Sequence, residues 1–165
     1  MQNFYGESVI HLLAKFNFEQ YQRDNRTFEF NRSNLLKKEI NAIQHDRHKD
    51  LIQKIFKMMT ANNNLQIDLA TKKGKTALQI ALENKNIPFI ELILQHGPKL
   101  NFQDENSTGI MHLLVPLVFG EEEEKKIVLM ITEQLKKLSP DDLEVIANSF
   151  DDKGFTPLLK LMYTY

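Results

Sequence analysis

The sequence predicts an all-α fold of stacked helix-turn-helix units, about three complete and a fourth partial. Three observations carry this prediction. One local grammar occurs four times, as NFYGESVIHLLA at 3–14, TKKGKTALQIA at 71–81, DENSTGIMHLL at 104–114 and DDKGFTPLLKL at 151–161. Each copy is a polar turn, then a capping residue, then a short apolar run with helical spacing. The spacing between copies is regular: Gly74 to Ser107 is 33 residues, Ser107 to Gly154 is 47, and Gly6 to Gly74 is 68. The second distance is one period with 14 residues inserted, and the third is one period with 35 inserted.

The last copy shows the physics most clearly. Asp151 to Gly154 supplies turn chemistry, with glycine free to take positive φ. Thr156 is an N-cap whose hydroxyl accepts from backbone N–H groups left free in the first turn. Pro157 occupies the first helical position, where its missing N–H costs nothing, and Leu158, Leu161 and Met162 follow on one face. Thr76 takes the capping part in the second copy and Ser8 in the first.

A longer second helix follows. In the second unit it is IPFIELILQHG (87–97), with Pro88 at its start, Phe89, Leu92 and Ile93 facing inward, and Gly97 stopping it. In the first unit, KDLIQKIFKMMTANNNLQID (49–68) reads as the second helix and hairpin. Ile55, Phe56, Met58 and Met59 form its core stripe, and Asn62 to Asn64 the stop. The extra residues of that unit therefore lie between its helices, over about 17–47. Part of that insertion reads as helix, capped by Ser33 with Leu36, Ile40 and Ile43 on one face. In the third unit, Gly120 and Glu121–Glu124 lengthen the loop before a helix over 125–138, and Ser139-Pro140-Asp141-Asp142 caps an added short turn. No helix of this length persists alone in water, so the units must cover one another's apolar faces. The organisation is one domain: unit one over 1–70, unit two over 71–103, unit three over 104–150, and a partial unit four over 151–165.

Composition narrows the chemistry. There is no cysteine, which removes disulfide frameworks, thiol nucleophiles and thiolate zinc sites. With 21 basic and 22 acidic side chains, the net charge of -1 gives no bulk attraction to nucleic acid. Hydrophobic residues at 42% place the chain among globular proteins rather than disordered ones. The longest apolar stretch, IMHLLVPLVF at 110–119, is too short to span a bilayer. The first residues lack the basic region of a signal peptide, so an intracellular location is expected.

Motifs for catalysis are absent from the sequence: it has no nucleophile elbow, phosphate loop or dinucleotide fingerprint. His45 and His48 stand one turn apart beside Asp46 and Asp50, a spacing that matches no specific metal motif and reads as a solvated helix surface. The glutamates at 121–124 suit the positive end of a helix dipole.

The pattern D-x-x-G-x-T-P-L-H-x-A-A, followed by a second helix of the I-V-K-L-L-L-x-x-G-A-D-V-N type at a period of about 33 residues, belongs to ankyrin repeats. The chain resembles that family. Segment 74–104 follows the pattern nearly throughout, and DDKGFTPLL is as good a copy of its turn-and-cap portion. The first and third copies depart further, keeping Gly6, His11 and Ala14, and His112. The resemblance implies an all-α ankyrin-repeat solenoid in which His11 and His112 hydrogen-bond between repeats. Lys85 stands where the pattern has glycine, which leaves Asn84 or Asn86 to take the left-handed conformation. Gln79 and Leu159 stand at the bridging-histidine position, which implies a broken ladder there.

The function implied is non-catalytic protein binding, a cytoplasmic scaffold with no cofactor, no metal, no small-molecule substrate and no nucleic acid or inserted membrane as partner. The implied surface combines turn tips and first helices: Lys72, Lys73, Lys75, Gln103, Glu105, Asn106, Asp152, Lys153 and Phe155. The lysines either meet an acidic partner or stand solvated. Phe155, an aromatic at an exposed turn position, is either an anchor or packs on the following hairpin. The identity of the partner is not written in the sequence. Two further possibilities stand open. The chain is either a regulatory or targeting segment of a larger enzyme or channel, or an enzyme whose site is completed by the insertion near Ser33–Asp50. The apolar LLKLMYTY ending fits either the N-terminal piece of a longer array or a minimal cap whose exposed face meets a partner.

Overall fold

A computed structural model describes residues 2–15, 47, 49–61 and 65–164. Among them are eight helices and no strand: α1 (Val9–Lys15), α2 (49–60), α3 (Ala77–Glu83), α4 (Ile87–Leu94), α5 (Ile110–Val118), α6 (Glu122–Leu135), α7 (Pro140–Ala147) and α8 (Pro157–Thr164). The helix expected inside the 17–47 insertion and the Asn62–Asn64 stop lie outside the described residues.

Four turns share one construction. The first residue of each turns its side chain back on the loop. Asn3 Oδ1 accepts the N–H groups of Tyr5 and Glu7, Asp104 Oδ1 those of Asn106 and Thr108, and Asp151 Oδ1 those of Lys153 and Phe155. Thr71 does half of this, accepting from Lys75 N–H at 3.2 Å. The fourth residue is left-handed every time, with φ of +75° at Gly6, +74° at Gly74, +54° at Ser107 and +77° at Gly154. Successive turns are joined by one backbone rung in the same register. Lys72 N–H donates to Tyr5 O (3.0 Å), Glu105 N–H to Lys73 O (3.0 Å) and Asp152 N–H to Asn106 O (2.9 Å). At Gly6 the close approach adds its own demand, since a Cβ there would lie 2.7 Å from the Lys72 nitrogen.

The helices after the turns pack in order: α1 on α3, α3 on α5, and α5 on α8. The second helices form another row behind them. Phe56 of α2 meets Phe89 of α4 edge to face at 6.1 Å, and α4 packs on α6. Glu91 of α4 pairs with Lys49 (3.3 Å) and with Lys126 of α6 (2.6 Å), spanning three second helices. Burial opposes ionisation of Glu91, but the two ammonium groups outweigh it and hold the carboxyl below its usual range. Between the rows lies a continuous core containing Ile10, Ile52, Phe56, Leu78, Phe89, Ile93, Ile110, Ile127 and Ile131. Side-chain caps fix where helices start: Thr76 for α3, Asn86 for α4, Ser139 for α7 and Thr156 for α8. Buried Asn86 also donates to Leu13 O at 3.0 Å, tying the bend of the second unit to the end of α1.

Several expectations are corrected. Lys85 itself, rather than Asn84 or Asn86, is left-handed, with φ +53°. A lysine there bears roughly 1–2 kcal/mol of steric strain, which the stacked helices on both sides sustain. Glu122–Glu124 are the first turn of α6 rather than loop, so the helix starts and ends three residues before the expected 125–138. Glu124 Oε2 accepts the Glu121 N–H at 2.7 Å, satisfying one of the free donors of that first turn. The short turn expected after Ser139 is a full helix, α7, packed on α5 through buried Ile146. In α2 the buried side is Ile52 and Phe56, with Met58 exposed rather than in the core stripe.

Candidate functional site

Two sets of side chains run across the units at equivalent positions. The first set is buried and ties a first helix to chain at or just before the following turn. His11 Nε2 lies 2.8 Å from Leu69 O, and His112 Nε2 lies 2.9 Å from Phe155 O. A carbonyl only accepts, so both Nε2 atoms carry the hydrogen. The Nδ1 atoms then accept, from Ser8 N–H at 3.0 Å and from Gly109 N–H at 3.4 Å. Burial lowers the His11 pKa, outweighing the backbone carbonyls that favour the cation. At the same position in the second unit the expected break does not occur. Gln79 Nε2 donates to Asp104 Oδ2 at 2.8 Å, although its buried Oε1 receives no donor. Leu159 ends the series without a polar group.

The second set is partly accessible and recurs at one spacing from unit to unit. The residue after each left-handed position sits eight residues before a side chain on the following helix. Glu7 pairs with Lys15, Lys75 chelates Glu83 at 2.7 and 2.8 Å, and the Phe155 ring lies 5.4 Å from that of Tyr163. The third unit places Thr108 and Pro116 at these positions. Lys15 and Asn3 hold the Glu7 carboxyl below its usual range. In the last turn, burial opposes ionisation of Asp151. The N–H groups of Phe155 and Lys153, with the Lys160 ammonium, outweigh it and lower the pKa. The set is therefore internally neutralised in its first half and aromatic at its end. Exposed pairs of this kind contribute only about 0–1 kcal/mol each, so their main effect is to remove unpaired charge from the surface.

The residues expected to bind a partner do fall along the connected turns, but not as a free lysine patch. Lys72 lies over the Phe4 ring at 4.3 Å, Lys73 pairs with Glu105 at 3.2 Å, and Lys75 is held by Glu83. Gln103, Glu105, Asn106, Asp152 and Lys153 are exposed, with Asn106 and Asp152 joined through their backbone rung. Phe155 is half-buried rather than at an exposed tip, packed on Tyr163 of the helix that follows it. Sequence reasoning missed Tyr163, which is 83% exposed. The signal was present in the eight-residue spacing that carries Glu/Lys, Lys/Glu and Phe/Tyr in three of the four units.

Among the described residues no cluster of three His, Asp or Glu side chains is placed to hold a metal ion, and no helix is long and apolar enough to cross a membrane. The His45 and His48 pair lies outside the described residues. No protein-family model matches this chain, and no curated protein matches it.

Proposed function

We propose that this chain is an ankyrin-repeat solenoid acting as a non-catalytic protein-binding module, a cytoplasmic scaffold whose partner lies across the turn tips and first helices. The observation that supports this most strongly is the fourfold turn: one side-chain clasp, one left-handed residue and one rung register, each repeated unit after unit. Such a face is preformed, so a partner binding it loses little ordering entropy beyond its own. The aromatic end, Phe155 and Tyr163, is the anchor, because aromatic side chains carry most of the free energy in such interfaces. The paired lysines Lys72, Lys73 and Lys75, with Gln103, Glu105, Asn106, Asp152 and Lys153, form the surrounding polar rim. The absence of cysteine agrees with a reducing compartment. The reading requires no cofactor, metal, small-molecule substrate or nucleic acid.

The test is affinity purification with the intact chain, partner identification by mass spectrometry, and titration of the recovered partner against variants. Tyr163→Ala is expected to weaken binding by roughly 30-fold, the loss of about 2 kcal/mol at an aromatic anchor, with an unchanged melting temperature. Combined reversal of Lys72 and Lys73 to glutamate is expected to weaken it about 2- to 5-fold, as for rim charges. Unchanged affinity in both variants removes the partner from this face.

A further inference from the structure

Each of the four turns presents two side chains just before its left-handed residue: Phe4 and Tyr5, Lys72 and Lys73, Glu105 and Asn106, Asp152 and Lys153. All of them are exposed, in the second and third turns, which have neighbours on both sides, as much as in the first and fourth. Exposure along this edge is therefore a property of the position in the turn. Only the first turn places aromatic rings there, with Phe4 80% and Tyr5 66% exposed. The turn that carries them is firmly held. Asn3 Oδ1 accepts the N–H groups of Tyr5 and Glu7, Asn3 N–H donates to Glu7 O at 2.8 Å, and Gly6 N–H donates to Asn3 O at 3.0 Å. The two rings meet edge to face at 5.5 Å, and Lys72 Nζ lies 4.3 Å from the centre of the Phe4 ring. Lys73, next along the edge, shares its charge with Glu105. Among the described residues no carboxylate lies within ion-pair distance of Lys72.

We propose that the tips of the first two turns bind an acidic segment of a protein partner, with an apolar side chain seated on Phe4 and Tyr5 and flanking carboxylates meeting Lys72 and Lys73. The proposal rests on the protein-binding reading above and names the chemistry of one segment of that partner. Aromatic side chains on a preformed turn offer contact area at little entropic cost, and interfaces are enriched in them. Lys72 is drawn over the Phe4 ring by the attraction of a cation for an aromatic face, so its charge stands beside the apolar seat before a partner arrives. Further along the edge the sign reverses, since Glu105 and Asp152 project from the third and fourth turns. An anionic membrane or a nucleic-acid strand laid along the tips would meet those carboxylates, and the net charge of -1 supplies no compensating attraction. A polypeptide can carry acidic residues opposite the first two turns and neutral or basic ones opposite the next two. The charge order therefore favours a protein segment over either polyanion and sets the direction in which it lies. Phe155 and Tyr163 belong to the fourth unit, so this seat is a second anchor at the other end of the stack.

Fluorescence anisotropy of a labelled synthetic peptide, one tryptophan with aspartates on both sides, titrated with the intact chain, tests it. Binding should saturate, should vanish when lysines replace the aspartates, and should weaken about 10-fold when alanine replaces the tryptophan. On the protein side, Phe4→Ala should weaken it about 10-fold and Lys72→Glu about 5-fold. Both positions are exposed, so each variant should keep the far-ultraviolet circular dichroism of the parent. Raising salt from about 0.01 M to about 1 M shortens the screening length from about 30 Å to about 3 Å, and should weaken the parent's binding more than that of Lys72→Glu. No saturation by about 1 mM peptide, equal binding of the lysine peptide, or parent-like affinity in both variants overturns the proposal. Vesicles of phosphatidylserine with phosphatidylcholine, and single-stranded oligouridylate, are titrated in parallel. Binding of either that Phe4→Ala abolishes overturns the proposal in favour of a membrane or a nucleic acid. Failure of the peptide beside a purified partner that still depends on Tyr163 overturns this site alone and leaves the protein-binding reading standing.

Discussion

Phe89→Ala is expected to lower the unfolding free energy by about 3–5 kcal/mol, a large fraction of the roughly 5–15 kcal/mol that native domains commonly possess. Phe89 is fully buried in α4, and its ring meets the edge of Phe56 from α2 at 6.1 Å. Truncation removes that apolar surface and leaves a cavity that the surrounding helices only partly fill. Because the residue joins the second helices of two units, the loss falls on their coupling as well as on α4 itself. Urea unfolding followed by circular dichroism measures it, with Met58→Ala as the comparison. Met58 is exposed on α2, and its truncation should change stability by no more than about 0.5 kcal/mol. A Phe89→Ala loss below about 1 kcal/mol would contradict the packing of α2 on α4.

Stability should fall as pH drops below about 6.5, the ordinary value for histidine, and His11 should account for much of the fall. Its folded pKa is lowered, so the native state binds fewer protons than the unfolded one at mildly acidic pH. The neutral-form contribution is intact above the unfolded value and is lost progressively below it, with a limiting slope of about 1.4 kcal/mol per pH unit. The geometry gives the cause. Protonation would put a hydrogen on Nδ1, which already accepts from Ser8 N–H and faces Ser8 Oγ at 2.9 Å. Glu7 attracts the cation and Lys15 repels it, and burial exceeds both. His11→Gln tests the assignment, because the second unit carries glutamine at this position and still bridges forward. Unfolding free energies measured between pH 7 and 5 should show a shallower slope in the variant. Equal slopes would place the acid sensitivity elsewhere.

The sequence was most legible where structure is decided locally. Asp104, Asp151 and the glycines at 6, 74 and 154 announce turns because their side chains, or lack of one, act within four residues. Thr76, Ser139 and Thr156 announce helix starts for the same reason. Legibility failed where neighbouring units decide. Ser107 and Lys85 are left-handed although neither residue prefers it, because the stack fixes the path on both sides. In α2 the apolar residues permit two phases of a helical stripe, and packing on Phe89 selects Ile52 and Phe56 over Met58. The run Glu121–Glu124 reads as loop leading into a helix whose dipole it suits, yet that same preference draws the helix start back into the run, and α6 begins at Glu122. The candidate face was half legible. Turn residues recur at matching places in each unit, whereas Tyr163 enters only through a contact eight residues from Phe155. Pairing of the lysines with Phe4, Glu105 and Glu83 required their partners to be placed in space.

The rungs between turns are the element on which everything else rests, and amide hydrogen exchange reads them one at a time. In dilute solution at neutral pH, the N–H groups of Lys72, Glu105 and Asp152 should exchange slowly, since opening each requires neighbouring units to separate. Phe4 N–H, at the equivalent position with no acceptor among the described residues, should exchange at the rate of an open amide. Fast exchange at all four positions would contradict a stack of units joined in one register.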